Sequence, residues 1–251
     1  MFPGIGTLVN AVAVLLGATI GVLVGHRLPE RTRTVVTDGL GLVTLLIAAS
    51  AATSVTDPAL SALVGTSAPT LIVLGAVLTG GILGSLLRIE DRLEGVGGHL
   101  QRLVLRRSGG AGHAARERFV QGFVTSSLVF CVGPLTILGS LTEGIGDGPQ
   151  QLYLKAALDG FAAIAFAASF GWGVAASVVS IVTIQGALTV VGALLGNFLP
   201  DAHLAALTAT GGLLLVGVGL RLLDVRRIKV GDLLPALVMA PVLTELVAAL
   251  R

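Results

Sequence analysis

The chain of 251 residues is 54% hydrophobic and only 12% charged, carries 35 glycines, and has a mean hydropathy of +0.94. A soluble domain covers its surface with about 25% charged residues, so this composition excludes an ordinary soluble globular protein. Sixteen Lys and Arg against 14 Asp and Glu leave a formal charge of only +2, and nucleic acid is not an expected partner.

In chain order, apolar windows fall at 5–25, 36–56, 66–87, 118–141, 152–171, 174–198, 204–223 and 232–249. At about 20 residues per crossing, each is long enough to span a bilayer. The expected fold is therefore all-α, a polytopic transmembrane helical bundle of seven to eight spans, with residues 1–251 forming a single integral membrane domain. Seven applies if the tight hairpin at Gly171, Trp172 and Gly173 makes spans five and six one interrupted element. The N-terminus lacks the basic stretch of a cleavable signal, so the first window reads as a retained span.

Between spans three and four, residues 88–116 are expected to form a cytoplasmic amphipathic segment and a flexible loop. Ile89, Leu93, Val96, Leu100 and Leu103 recur every three or four positions among charged residues, the pattern of a helix lying on the membrane face or against a partner protein. Ser108 to Gly112 reads as a tether. Arg27, Arg31 and Arg33, then the seven arginines between Arg88 and Arg118, then Arg221, Arg226, Arg227 and Lys229 place 14 of the 16 positive charges on one side of an eight-span arrangement. The positive-inside rule puts that side in the cytoplasm and the N-terminus outside.

Sliding the chain on itself by 171 positions pairs Gly21 with Gly192, Leu23 with Leu194, Gly25 with Gly196, Leu28 with Leu199, Pro29 with Pro200, Thr37 with Thr208, Gly41 with Gly212 and Leu42 with Leu213. Spans one and two thus match spans six and seven. Charge places the loop within the first pair inside and the loop within the second outside, so the expected repeat is inverted, an arrangement common in secondary transporters. The Gly-x-x-x-Gly runs at Gly17, Gly21 and Gly25, at Gly80 and Gly84, and at Gly192 and Gly196 are read mainly as helix packing seams.

Polar residues inside the spans are the candidate site. In span four, Pro134 follows Gly133 near the middle; it removes a backbone hydrogen bond and frees a carbonyl, with Thr125, Ser126, Ser127 and Cys131 within two turns. Such a helix either binds an ion or solute or is simply kinked with its hydroxyls bonded to its own carbonyls. In span five, Asp159 lies about 10 Å inside the outer end at 1.5 Å per residue, where an isolated charge costs about 2.5–3.5 kcal/mol. Lys155 is one turn earlier on the same face. The pair either locks the bundle or coordinates a cation or cycles a proton. Asn10 and Gln185 are further intramembrane candidates, Glu245 is close enough to the end to snorkel, and Glu143 and Asp147 either guard the outer mouth or, the favoured reading, lie in a solvated outer loop.

One cysteine, Cys131, cannot form an intrachain disulfide, and His26, His99, His113 and His203 show no paired ligand spacing. No nucleophile with a base is apparent, and no His-Glu-x-x-His or Gly-x-Ser-x-Gly occurs, so no enzyme and no cofactor are expected.

The stretch Phe119-Val-x-Gly-Phe-x-x-x-Ser-Leu-x-Phe-Cys-Val-Gly-x-x-x-Ile-Leu-Gly, followed by Glu143-Gly144 and Lys155-x-x-Leu158-Asp159-Gly160, resembles the YqgA/YdfK family of bacterial inner-membrane proteins, catalogued as a domain of unknown function. Gly6-Thr7-x-x-Asn10, Gly25-x-x-Leu28-Pro29-Glu30-Arg31 and Ile228-Lys229-Val230-x-x-Leu233-Leu234-Pro235-Ala236 carry the likeness to both ends. The resemblance implies an inner-membrane location and one domain, and its motif positions inside the spans are Asn10, Ser127, Cys131, Gly133, Lys155, Asp159 and Gly160. The residues themselves point to a secondary transporter or exchanger of a small ion or solute, with its site in spans four and five. An ion channel and a non-transporting scaffold are the alternatives. Membrane lipid, the transported species and a second copy of the chain are the expected partners.

Overall fold

The computed structural model describes residues 3–25, 27, 29–105, 113–132, 134–146, 148–195 and 200–251. All its regular elements there are helical: α1 (Ile5–Gly25), α2 (Glu30–Ala52) with a 3-10 turn at Thr53–Thr56, α3 (Pro58–Val64), α4 (Ala68–Leu87), α5 (Ile89–Leu105), α6 (His113–Val132), α7 (Pro134–Ile145), α8 (Gln150–Phe170), α9 (Gly173–Ala176), α10 (Val178–Leu195), α11 (Asp201–Leu222), α12 (Val230–Leu233) and α13 (Ala236–Ala249). Among the described residues, seven helices or helix runs are long and apolar enough to cross a membrane. The pair α6 and α7, bent by 57° at its break, passes the same test jointly and counts as an eighth when taken as one span. Gly171, at φ +74°, ends α8, so the helices on either side of that hairpin are separate.

The chain divides into two compact units that interleave in sequence, residues 1–40, 91–131 and 135–196 forming one and residues 41–90, 132–134 and 197–251 the other.

In the first unit, α1 lies along α8. A Cβ added to Gly6 would meet Leu152, one on Gly17 would meet the Gly160 carbonyl, one on Gly21 the Ile164 carbonyl, and one on Gly25 would lie 2.6 Å from the Ala168 carbonyl oxygen. Contact positions rise together along both helices, so α1 and α8 are parallel. The small residues are there because lipid gives no hydrophobic drive between helices and affinity must come from close backbone approach. Phe130 of α6 meets Phe166 of α8 edge to face, ring centres 5.9 Å apart. The amphipathic α5 rests on α6 where Gly97 leaves room for the Phe123 ring; a Cβ added to Gly97 would stand 2.9 Å from it.

The break between α6 and α7 has a local cause. Pro134 has no N–H to offer the carbonyl four residues back, that of Phe130. The hydroxyl of Thr136 donates to that carbonyl at 2.8 Å instead, so the bend leaves no orphan acceptor there.

In the second unit, α4 packs antiparallel on α12 and α13, with Gly84 against Asp232, Gly80 against Ala236 and Gly75 against Leu243. Helix α11 packs antiparallel on α2. Gly41 faces Leu223 and Gly219, and Gly212 faces Ala52 and Ala48. Adding 171 to one partner and subtracting 171 from the other converts the 41–223 contact into 212–52 and the 41–219 contact into 212–48. The same operation converts the contact of Gly65 with Arg251 into that of Ala236 with Gly80.

The loop ends of this second unit are tied by a buried acid. Glu90, 2% exposed, accepts from Arg221 Nη1 at 2.5 Å and from the Gly231 N–H at 2.6 Å. Its own N–H donates to Asp232 Oδ1 at 2.9 Å. A cation in the last turn of α11 and an acid at the start of α5 both complement the helix dipoles.

Candidate functional site

Asp159 and Lys155 occupy successive turns of one face of α8, 7% and 5% exposed. Lys155 Nζ donates to Asp159 Oδ1 at 3.0 Å and stands 2.8 Å from Oδ2. From α1, the Asn10 amide donates to Oδ2 at 3.0 Å. An ionised carboxylate only accepts, which fixes the amide orientation, NH₂ toward Asp159. Both carboxylate oxygens are thus occupied, and Asn10 Oδ1, fully buried, is left without a protein partner.

Cys131, the free cysteine, is buried in the last turn of α6. One and a half turns earlier, Thr125 and Ser126 are fully buried with unpartnered hydroxyls. Ser127 instead pairs with Ser180 of α10 at 2.9 Å. Gln185, further along α10, is fully buried with neither amide atom partnered. Gly133 lies outside the described residues, as does Asp147. Of the expected residues, Asn10 on α1 is brought to the ion pair on α8, while Thr125 and Ser126 on α6 and Gln185 on α10 are buried polar residues of the same unit.

Glu143 is a correction. Its glycine-rich surroundings read as a solvated loop, but it sits in α7, 4% exposed. Its Oε1 accepts the Gly6 N–H at 2.6 Å, satisfying one of the free donors at the start of α1, and its Oε2 has no partner. Thr136, Ser140 and Glu143 fall at helical spacing, a pattern that reveals the face once α7 is run on to Ile145. Thr7, Ser140 and Gln151 add further unpartnered buried oxygens. Glu245, by contrast, is 72% exposed at its side chain and touches His203 Nε2 at 3.0 Å. Among the described residues, no group of three or more His, Cys, Asp or Glu is placed to hold a metal ion.

A family model described as a protein of unknown function (DUF554) matches residues 5–245. The chain belongs to that family. It is 33% identical over 236 residues to the uncharacterized protein YqgA of Escherichia coli, covering 94% of each chain. It is 25% identical over 244 residues to the uncharacterized membrane protein YdfK of Bacillus subtilis, covering 97% of each. No solved structure matches the chain.

For this DUF554 protein the arrangement on α1, α6 and α8 has a clear chemical character. A buried ion pair costs several kcal/mol of desolvation, offset only by close geometry and further hydrogen bonds. Here Asn10 supplies one such bond. Each unpartnered buried polar group in the same unit carries a further penalty of about 1–3 kcal/mol. Ion-pair formation alone would not require those groups to be polar.

Proposed function

We propose that this membrane protein is a secondary transporter or exchanger of a small ion or solute across the bacterial inner membrane, with Asp159, Lys155 and Asn10 at the centre of its site. The observation that carries the reading is the mid-helix Asp159–Lys155 pair, bonded to Asn10 and set in a unit whose described residues leave several buried polar atoms without a partner. Intramembrane ionisable residues mark ion and proton pathways far more often than they serve packing. Because both oxygens of Asp159 are taken, an incoming cation displaces the Lys155 ammonium, whereas an anionic group competes with Asp159 for Lys155.

Two further observations support it. The 171-residue offset found in the sequence also relates contact pairs between α2 and α11 and between the α3–α4 and α12–α13 regions, and the partner helices run antiparallel. Both are what an inverted repeat produces, and inverted repeats underlie alternating access in many carriers. The asymmetric distribution of Lys and Arg supports an N-terminus on the outer face of the inner membrane.

The test is uptake and counterflow in proteoliposomes holding the purified chain, with ions and zwitterions as candidate substrates and Asp159→Asn alongside. A flux abolished in Asp159→Asn, with the variant still folded, upholds the reading. A protein that moves no candidate, and whose Asp159→Asn variant loses stability only, favours the scaffold reading, in which the same pair locks the bundle.

A further inference from the structure

The charges around the pair do not balance. Among the described residues of the first unit, the Asp, Glu, Lys, Arg and His side chains under 9% exposed are Glu143, Lys155 and Asp159, two acids and one base. Lys155 neutralises Asp159. Glu143 has only the Gly6 N–H on Oε1, and the start of a helix contributes about half a positive charge at most. Glu143 is left without a basic partner among the described residues of that unit.

The groups nearest to it along the chain share a character. Gly6 touches both Glu143 and Leu152, which brings the first turn of α1, the last turns of α7 and the first turn of α8 to one point. Thr7 follows Gly6, Gln151 precedes Leu152, Ser140 stands one turn before Glu143, and Asn10 one turn beyond Thr7. Thr7 Oγ1, Asn10 Oδ1, Ser140 Oγ, Glu143 Oε2 and Gln151 Oε1 are all buried and unpartnered. Three of these five are pure acceptors, and the two hydroxyls can donate one proton each. The cluster is rich in lone pairs and poor in donors. A proton on Glu143 would satisfy one acceptor; a bound cation satisfies several together.

We infer that the junction of α1, α7 and α8 holds a hard monovalent cation, with Glu143 as its charged ligand and the Thr7, Ser140, Asn10 and Gln151 oxygens as neutral ones. Oxygen-only donors select alkali cations over soft transition metals. A single uncompensated carboxylate matches one positive charge, whereas calcium sites gather several carboxylates. The site names the ion for the transport reading, and its physiological role rests on that reading: Asn10 belongs to both clusters, so occupancy at Glu143 is felt at Asp159 further along the same interior.

The experiment is thermal unfolding of the purified full-length chain in choline chloride, with choline replaced stepwise by sodium, lithium or potassium at constant ionic strength. One of these cations is expected to stabilise the wild type saturably, lowering the unfolding constant about a hundredfold at a hundred times its Kd. Glu143→Gln should lose the response. Thr7→Val, which leaves every charge in place, should weaken it at least severalfold, and keeps the test informative if Glu143→Gln folds poorly. A wild type that behaves alike in all four salts overturns the inference, as does a response that survives both substitutions. Flux is read separately: a cation response without transport sinks the transport reading and leaves this site standing, while transport without a cation response does the reverse.

Discussion

In the unit built from α4, α11, α12 and α13, buried polarity is consumed locally: both oxygens of Glu90 and its N–H are bonded, and the Thr210 and Thr244 hydroxyls bond back to the carbonyls one turn earlier. In the unit built from α1 and α5 to α10, nine of the ten buried polar atoms left without a partner among the described residues are found, His203 Nδ1 being the tenth. Both units use the same glycine seams to bring helices together. The difference is therefore not in how they pack but in what they leave unsatisfied. A protein interior selected for stability alone looks like the second, because every unpaired group costs free energy.

The sharpest way to break this contrast is at the pair itself. Lys155→Met leaves Asp159 buried and unpaired, and should cost about 3–5 kcal/mol in unfolding free energy. Adding Asp159→Asn in the same chain should recover a substantial part of that stability without restoring flux. If the double variant transports normally, the first unit is a lock like the second.

Glu90→Ala is the matching cut in the second unit. It strips Arg221 and the Gly231 N–H of their acceptor and should cost about 2–4 kcal/mol, in the range of lost charge-assisted hydrogen bonds and a stranded partner. Substrate affinity in the protein that still folds should be unchanged, which a binding titration measures. Gly84→Ala drives a methyl group into the backbone of Asp232 and should destabilise by about 1–3 kcal/mol through overpacking, again with affinity unaltered. Smallest of all, Thr136→Val removes the donor that satisfies Phe130 and should cost about 1 kcal/mol; a changed bend would appear as altered distances between spin labels on α6 and α7.

Much of this is legible in the sequence alone. The spans follow from hydropathy, the Asp159–Lys155 contact from i,i+4 spacing, and the amphipathic α5 from its apolar period. Of the glycines within α5, which weaken a free amphipathic helix, Gly97 is explained by the Phe123 ring seated against it. Glu143 is hidden because Thr-Glu-Gly-Ile-Gly-Asp-Gly has turn composition. Its helix is held by contacts with distant chain, the Gly6 N–H and the approach of Gly144 to α10 at Thr189. Thr136 escapes for a different reason: the sequence offers hydroxyls before the proline as partners for the freed carbonyl, whereas the one that reaches it lies after the proline. The Glu90 cluster joins residues more than 130 positions apart, and no local pattern announces it.

The parallel course of α1 and α8 also counts crossings. Two helices that traverse a membrane in the same sense must have an odd number of traverses between them, and α2 and α4 supply only two. If α2 and α4 each cross once, the bent pair α6–α7 has to supply the third, passing through rather than returning by the same face. On that count, with every other apolar helix crossing once, the path would close on the compartment where it began, and reporters fused at the two ends should light up, or be shielded, together.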